Sequence, residues 1–511
     1  MRNVLTYVLS ITPVAFLIVF LAVVIRVYGI DALSGPSQLV LMFSTGVAAL
    51  IAMLHFGKKW QELEAEINRA VGSIGSPIVI LLLIGLLSGT WMVSGVVPML
   101  IYYGMQIINP HVFLITSCLI SALVSVMTGS SWTTVATIGV ALMGIGKAEG
   151  FSDGWTAGAI LSGAYFGDKM SPLSDTTVLA SSLCGTPLFT HIRYMTITTV
   201  PAFTITMVIF LVAGFLVPSS ALIDTSAFTT ALSSKFNLSL WLLLVPVATG
   251  VMIYKKMPAI IVLFASSLTA IAFAAIFQPH VLAEVSGMTA KDVANFHPSA
   301  IVLFKGAMEC SFGSTSIDSG FAPVNDLLAT RGMAGMLNTV WIILCAICFG
   351  GVLKASGMLA NIVSLVIPFT KTRVGLVAST VVSGIFFNAT AADQFLSIML
   401  NSSMFGEIYK KEGYEPRLLS RSIEDSSTVT SVLIPWSTCG MTQSTVLNVP
   451  TLTYLPYCFF NILAPITSIL VAAIGYNIYR VSKEYTIVMG LDAGAQSADS
   501  QDEAIARLHK P

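Results

Sequence analysis

Long apolar runs divide the chain into segments of the length that crosses a membrane. A spanning helix needs about 20 apolar residues, and runs of this kind recur between residues 8 and 479. The pattern predicts apolar helices at 8–29, 38–54, 76–106, 110–127, 131–146, 156–187, 194–217, 238–253, 258–277, 299–325, 334–368, 374–390, 391–406, 418–440 and 451–479. The sequence therefore predicts an all-α polytopic membrane protein, with a membrane domain over 1–479 and a flexible cytoplasmic tail over 480–511.

Several of these apolar runs are interrupted by polar residues, glycine or proline. The stretch 162–178 contains Asp168, Lys169, Pro172 and Asp175. Broken, charged backbone at membrane depth is tolerated only inside the protein or along a wet cavity. We therefore expect interrupted helices at these stretches: Gly89-Thr90, Ser94-Gly95, Thr128–Thr134 and 162–178. A re-entrant hairpin is also expected within 299–325, with Ser311–Ser316 at its tip.

The second half of the chain resembles the first. Residues 80–128 align with 342–390 without gaps, and the matches include Gly, Ser and Thr positions that apolar composition does not supply. Further on, Ser174–Val178 resembles Glu424–Thr428. These similarities predict a first repeat over about 8–217 and a second over about 258–479.

The charges of the loops predict that the two repeats are inverted. Asn109-Pro-His111 carries no Lys or Arg, whereas the matching Lys371-Thr-Arg373 carries two. Loops 55–73 and 407–417 are also rich in basic residues, so the positive-inside rule places them in the cytoplasm. Inverted repeats with interrupted helices at the midplane are the plan of secondary transporters.

Composition narrows the function. The 511 residues are 55% hydrophobic and 10% charged, with a formal net charge of zero, so no basic face for nucleic acid is expected. No phosphate-binding loop, HExxH or GxSxG motif occurs, and the six histidines are scattered. We therefore expect neither an enzyme nor a resident cofactor. The lipid bilayer is the expected surrounding, and the sequence leaves a homodimer open.

Three motifs carry a resemblance to a known family. Thr128–Thr137, Gly163–Thr177 and Ser422–Val429 followed by Pro435-Trp436 resemble the NhaC-type sodium/proton antiporter family, in the wider ion-transporter superfamily. The resemblance implies a multi-pass protein of the bacterial inner membrane that exchanges sodium for protons by alternating access, and we expect both termini in the cytoplasm. Some close relatives exchange sodium and lactate for malate and protons, so a sodium-coupled organic-acid exchanger is the alternative.

Carboxylates and hydroxyls near the helix breaks are the candidate ion-binding groups. Sodium prefers oxygen ligands, and a carboxylate that holds either sodium or a proton supplies the minimal chemistry of antiport. The candidates are Asp175, Asp425, Asp393, Asp168, Thr176, Thr128, Ser130, Ser131, Asn388 and Thr390, with sodium expected at Asp175 and Asp425.

Each candidate also has a structural interpretation. Asp168 could cap a helix or pair with Lys169, and Lys169 could instead serve as a charge partner that substitutes for the ion. Asp393 could be a helix N-cap. Glu424 could interact with Asp425 but is expected to face away from it. The hydroxyls and Asn388 could serve helix packing, and Gly163-x-x-x-Gly167 is expected to allow close packing of its helix. Asp318 and Glu309 are weaker candidates, because they lie in the segment 299–325.

Overall fold

The computed structural model describes residues 2–28, 35–216, 225–255, 257–288, 298–365 and 367–481. In these ranges the chain is helical, and the only β-structure consists of two isolated bridges, Thr315–Thr330 and Tyr414–Arg480. The helices of the first half are α1 (Arg2–Tyr28), α2 (Pro36–Leu54), α3 (Trp60–Ser73), α4 (Gly75–Val93), α5 (Val96–Ile107), α6 (Phe113–Thr128), α7 (Ser131–Thr134), α8 (Val140–Ala148), α9 (Asp153–Met170), α10 (Asp175–Leu183), α11 (Leu188–Leu216) and α12 (Thr225–Lys235). Those of the second half are α13 (Leu244–Tyr254), α14 (Ala259–Phe277), α15 (Pro279–Val285), α16 (Pro298–Phe312), α17 (Ala322–Leu328), α18 (Leu337–Ala355), α19 (Met358–Ser364), α20 (Arg373–Thr390), α21 (Gln394–Lys411), α22 (Pro416–Ile423), α23 (Thr438–Leu447), α24 (Thr451–Tyr454) and α25 (Phe459–Ile474).

The helices confirm the prediction of a polytopic membrane protein. Eight of the described helices are long and apolar enough to cross a membrane, and two sharply bent helix pairs raise the number to ten. Large apolar side chains such as Leu54, Leu216 and Ile276 are exposed on their outer faces, where lipid would cover them. The predicted tail lies outside the described residues beyond Val481.

Glycine residues in the left-handed region interrupt two matching helices. Gly95 separates α4 from α5 with φ 81°, and Gly357 separates α18 from α19 with φ 78°. The two positions are related by the offset of the sequence repeat, and the predicted break at Ser94-Gly95 is confirmed. The break predicted at Gly89-Thr90 is wrong, because α4 continues through both residues to Val93. A residue with a Cβ atom would be strained in this conformation.

Two pairs of helices form hairpins whose tips are the polar breaks. Gly129, with φ 66°, ends α6, and the chain returns through α7, the π-helical turn Val135–Gly139 and α8. In the second half α20 and α21 are joined through Ala391 and Ala392, and the Thr380 hydroxyl lies 3.0 Å from that of Tyr409. That these hairpins enter from opposite membrane faces stays a prediction.

The chain after α16 reverses direction between Thr315 and Thr330, so the reversal includes α17 and lies beyond the tip predicted at Ser311–Ser316. The helix ends at Phe312, and the backbones of Thr315 and Thr330 exchange two hydrogen bonds of 2.9 and 3.0 Å. The Ser311–Ser316 stretch is therefore the point at which the helix gives way to extended chain.

The structure corrects one detail of the repeat alignment. Ser174 caps α10 by accepting a hydrogen bond from the Thr177 backbone, and Ser437 caps α23 by accepting one from Gly440. Each serine follows a proline by two residues. Ser174 thus matches Ser437, and this register replaces the predicted match between Ser174-Asp175 and Glu424-Asp425.

Small residues allow α6 and α9 to pack at backbone contact. A Cβ atom added to Gly163 would lie 2.0 Å from the carbonyl oxygen of Cys118, and one on Gly167 would lie 2.4 Å from that of Ala122. The prediction that the Gly163-x-x-x-Gly167 pair serves close helix packing is confirmed. This contact fixes the end of α9, where Asp168 and Lys169 lie.

We expect Gly163→Ala to destabilise the protein by about 1–3 kcal/mol, the usual cost of overpacking a tight interior. The added methyl group would push α6 away from α9, because its neighbour is a backbone carbonyl that cannot rotate aside. Thermal unfolding of the purified protein in detergent measures the effect.

Gly406→Ala is the matched control, because Gly406 also lies within a helix and a Cβ atom there meets nothing within 4 Å. Alanine is favoured over glycine in helices by about 1 kcal/mol, so this variant should be neutral or stabilised. Equal destabilisation of both variants would contradict the packing argument.

Candidate functional site

A cavity of about 640 Å³ lies where the two hairpin tips meet the break between α9 and α10. Three carboxylates that the sequence singled out line it, Asp168, Asp175 and Asp393, together with Ser130 and Thr176. The structure therefore brings half of the candidate residues to one place. They come from three stretches of the chain, the break after α6, the break between α9 and α10, and the break before α21.

Asp168 is the most completely held of these carboxylates. Its Oδ2 accepts hydrogen bonds from the backbone N–H and the hydroxyl of Ser131, at 3.1 and 2.7 Å, and its Oδ1 accepts one from the Ser174 hydroxyl at 2.6 Å. Ser131 begins α7, so the positive end of that helix faces the carboxylate. These contacts fix a buried negative charge at the wall of the cavity.

The second repeat contains an equivalent of the Asp168–Ser131 contact, formed by neutral side chains. Ser431, which matches Asp168, donates a hydrogen bond to Gln394, which matches Ser131, at 3.3 Å. Ser437 donates to the Ser431 backbone, as Ser174 donates to Asp168. The two repeats therefore share one arrangement of hydrogen bonds, but only the first repeat has a carboxylate, that of Asp168, where the second has the Ser431 hydroxyl.

Asp393 combines a structural role with a position on the cavity. Its Oδ1 caps α21 by accepting from the Leu396 backbone at 2.9 Å, and its Oδ2 accepts from the Thr438 hydroxyl at 3.1 Å. The N-cap interpretation is correct. The residue before it, Ala392, has φ 55°, a strained conformation for alanine that often occurs at functional sites.

Asp175 lies at the same cavity but is exposed, as the first residue of α10. Thr176 beside it is buried, and its hydroxyl lies 3.0 Å from that of Ser174. Asp175 thus presents an exposed carboxylate at the cavity. The buried setting expected for it belongs to Asp168 instead.

Asp425 is separated from the cavity and belongs to a buried ion pair. Its Oδ1 accepts from the ammonium group of Lys169 and, at 3.1 Å, from the Thr198 hydroxyl. The guanidinium of Arg421 lies 3.9 Å from Oδ2. Lys169, Arg421 and Asp425 are completely buried, so Lys169 is a charge partner of Asp425 and not of Asp168.

The remaining candidates form hydrogen bonds that hold helices and turns together. The Thr128 hydroxyl lies 3.2 Å from that of Thr134, and the Thr390 hydroxyl donates to the Phe386 backbone at 2.8 Å. Asn388 donates to the Ser427 carbonyl at 2.7 Å and to the Thr430 hydroxyl at 3.0 Å. Asn388 therefore anchors the π-helical turn that carries Asp425.

The sequence analysis did not predict the contacts of four groups of this centre. Arg421 and Thr198 contact Asp425, and Glu66 and Lys354 form an ion pair of 2.6 Å at the edge of the cavity. Arg421 precedes Asp425 by four residues, a spacing that puts both on one helical face, and this was the available signal. The other three depend on contacts between distant segments.

Asp318, a weaker candidate, has the properties of an ordinary turn. It is exposed, and its carboxylate accepts hydrogen bonds from the Gly320 backbone at 2.9 Å and from Asn325 at 2.8 Å. These bonds lower the pKa of the Asp318 carboxyl. The group therefore stays ionised near neutral pH and is unsuited to exchanging protons.

Comparison with known proteins gives matches along the whole membrane domain. The sequence model described as the Na+/H+ antiporter family matches residues 3–178 and 163–476. The Na+/H+ antiporter NhaC of Alkalihalophilus pseudofirmus is 36% identical, over 84% of this chain and 90% of that protein. The NhaC of Bacillus subtilis is 33% identical, over 84% and 91% of the two chains. The malate-2H+/Na+-lactate antiporter of Bacillus subtilis is 34% identical, over 84% and 87%.

We expect the Lys169–Asp425 pair to behave as a coupled unit in a double-mutant cycle. Breaking a buried ion pair costs about 3–5 kcal/mol, because one charge is left unpaired. Asp425→Asn should cost this amount, and Lys169→Gln should cost less, since Arg421 still neighbours Asp425. The double variant should be destabilised by less than the sum, as measured by unfolding in detergent.

The exposed pair Lys58–Glu62, with 3.4 Å between its charged atoms, is the control cycle. A helical pair of this kind contributes about 0.3–0.5 kcal/mol, so Lys58→Gln and Glu62→Gln should have small effects. If the effects of Lys169→Gln and Asp425→Asn simply add, the two charges are not energetically coupled.

Proposed function

Because the chain belongs to the Na+/H+ antiporter family, we propose that it exchanges sodium ions for protons across a bacterial inner membrane by alternating access. The transported cargo is the only ligand this function needs. Its relatives are transporters, which agrees with the absence of catalytic motifs in the sequence. The proposal is supported by the arrangement of charges around the end of α9.

One observation carries the proposal: Asp168 and Lys169 are consecutive, yet Asp168 is hydrogen-bonded to neutral groups of Ser131 and Ser174, whereas Lys169 pairs with a charged group. Asp168 lines the cavity, whereas Lys169 pairs with buried Asp425. A cation that binds at Asp168 adds positive charge next to Lys169. In a water-poor interior such charges interact strongly, so cation binding on one face of α9 changes the balance of charge on the other.

Sodium binding is assigned to the carboxylates and hydroxyls of the cavity. Asp175 at the exposed position attracts the ion, and Asp168, Asp393 and Thr176 offer oxygen ligands behind it. Asp425 binds sodium only after Lys169 has moved away, because the ammonium group occupies its Oδ1. Of the two predicted sodium positions, Asp175 is therefore the one that an entering ion reaches directly.

Helix α3, within loop 55–73, contributes Glu66, Arg69 and Ala70 to the cavity wall. Loop charge predicts that α3 lies on the cytoplasmic side, and on that basis we propose that the cavity faces the cytoplasm. The Glu66–Lys354 pair holds α3 to α18 at the edge of the opening. Movement of the hairpin tips relative to α3 and α18 would close this side and open the other.

Sodium-coupled exchange of organic acids is a second candidate. The cavity is far larger than a sodium ion, and Arg69 and Lys354 lie on its wall. A carboxylate substrate could use these cations, and one relative is an antiporter of malate and lactate. Both cations already contact Glu66, at 2.7 and 2.6 Å, which favours the simpler ion exchange.

Flux measurements in everted membrane vesicles test the proposed function. Sodium should dissipate an imposed proton gradient, whereas malate and lactate without sodium should not. Asp425→Asn should abolish exchange while the protein stays inserted, because the amide leaves Lys169 without its counter-charge. Dissipation of the gradient only when an organic acid is present would favour the second candidate.

Asp153→Asn is the matched control, because Asp153 is a partly exposed acid 3.8 Å from Lys147. This weak surface pair contributes little, so exchange should be close to wild type. If both asparagine variants lose activity equally, the loss at Asp425 reports general fragility and not a transport role.

Cysteine labelling tests the proposed orientation. On a background without the seven native cysteines, Lys59→Cys and Lys411→Cys should react with an impermeant reagent only after the cells are opened. Gln106→Cys, exposed at the end of α5, should react in intact cells. External labelling at 59 and 411 would overturn both the orientation and the inverted-repeat prediction.

A further inference from the structure

Arg421 is a buried guanidinium that forms no hydrogen bond with the described part of the chain. It is completely buried, and none of its three side-chain nitrogen atoms has an acceptor within reach there. Its Nε lies 3.9 Å from Oδ2 of Asp425, an oxygen that likewise has no donor among the described residues. A buried charge of this kind is costly unless another contact compensates it. The two charges therefore attract each other, but no hydrogen bond joins them.

The compensating contact of Arg421 is an aromatic ring. Its guanidinium carbon lies over the ring of Tyr194, 4.9 Å from the ring centre. This distance is within the range in which a cation is attracted to the face of an aromatic ring. Tyr194 belongs to α11, whereas Arg421 lies on α22, one turn before Asp425. The ring thus holds the guanidinium by a contact that does not involve the carboxylate.

The Tyr194 ring is itself fixed at its outer end. Its hydroxyl donates a hydrogen bond to the backbone carbonyl of Asn477 at 2.8 Å. This carbonyl belongs to the segment that follows α25, and the backbone N–H of Glu415, just before α22, donates to the Tyr479 carbonyl in the same segment at 3.2 Å. Tyr194 is therefore held in place relative to the start of α22, the helix that carries Arg421.

A second arginine lies near the same ring but has contacts of its own. The Arg417 guanidinium carbon lies 5.3 Å from the centre of the Tyr194 ring and only 3.9 Å from that of Tyr479. Arg417 also forms an ion pair with Glu415, so it would keep two partners without Tyr194. Arg421 differs, because Asp425 is the one carboxylate within salt-bridge distance of it in the described ranges.

A guanidinium that closed the gap to Asp425 would change the buried centre. Arginine binds a carboxylate through two parallel hydrogen bonds, one to each oxygen. Such a pair would cover Oδ2 and compete for Oδ1, which at present accepts from the ammonium group of Lys169. Lys169 would then lose its counter-charge, and Asp425 would have a permanent partner.

We propose that Tyr194 is a positioning residue of the exchange, which holds Arg421 near Asp425 but beyond hydrogen-bond distance. This inference rests on the proposed function. Arg421 then stabilises the carboxylate through its charge alone, Oδ2 stays open, and Lys169 remains the group that can leave and return at Oδ1. The face of the ring supplies this restraint, and the hydroxyl only anchors the ring.

Sodium-driven proton flux tests the inference on the purified full-length protein in liposomes. Tyr194→Phe keeps the ring and loses one hydrogen bond, so its maximal rate should stay within about threefold of wild type. Tyr194→Leu frees Arg421, so its maximal rate should fall about tenfold or more, as expected for loss of a desolvated cation–aromatic contact. The KM for sodium should change by less than about twofold, because Asp425 is separated from the cavity.

Equal slowing by Tyr194→Phe and Tyr194→Leu would overturn the inference and leave the proposed function intact. A wild type without sodium-driven proton flux would instead refute the proposed function. Tyr103→Leu is the matched control and should exchange at close to the wild-type rate. The Tyr103 hydroxyl also donates to a distant backbone carbonyl, that of Leu238 at 3.2 Å, but no Lys or Arg lies over its ring in the described ranges.

A double-mutant cycle separates positioning from packing. In an Arg421→Gln background, Tyr194→Leu should slow exchange by less than about twofold, because no guanidinium remains to close on Asp425. If Tyr194→Leu slows exchange by the same factor with and without Arg421, the ring acts by packing and the inference is overturned.

Fluorinated phenylalanines at position 194 keep the test decisive if Tyr194→Leu or Arg421→Gln does not fold. Increasing numbers of ring fluorines preserve the shape of the side chain but weaken the attraction of its face for a cation. The maximal rate should fall stepwise from that of Tyr194→Phe as fluorines are added. A rate that is independent of fluorination would overturn the inference.

Discussion

The central constraint on this structure is that charged side chains in its water-poor interior must be compensated. Lys169, Arg421, Asp425 and Glu424 are all completely buried, and each ionised group needs a partner or a proton. Asp425 meets this requirement with Lys169, and the pair can form only where α9, α11 and the π-helical turn converge. The surrounding architecture supplies that convergence. Removal of any one of these elements would leave a charge uncompensated.

Interrupted helices create a second requirement, because each break exposes backbone N–H groups that lipid cannot satisfy. Ser130, Ser174, Asp393 and Ser437 cap the helices that follow the breaks. Three of these side chains, Ser130, Ser174 and Asp393, therefore satisfy backbone N–H groups and also place oxygen atoms at the cavity. The N-cap interpretation of Asp393 is correct, and because its carboxylate also lines the cavity, the predicted role as an ion ligand does not compete with it and stays a prediction.

Much of this organisation could be predicted from the sequence because it depends on local composition. Apolar length gave the spans, Gly95 and Pro172 marked breaks, and glycine spacing indicated the contact of α9 with α6. The environments of individual acids could not be predicted in the same way. Asp175 and Asp168 both lie in the polar stretch 162–178, but the first is exposed and the second buried. Only the packing of Ser131 against α9 distinguishes them.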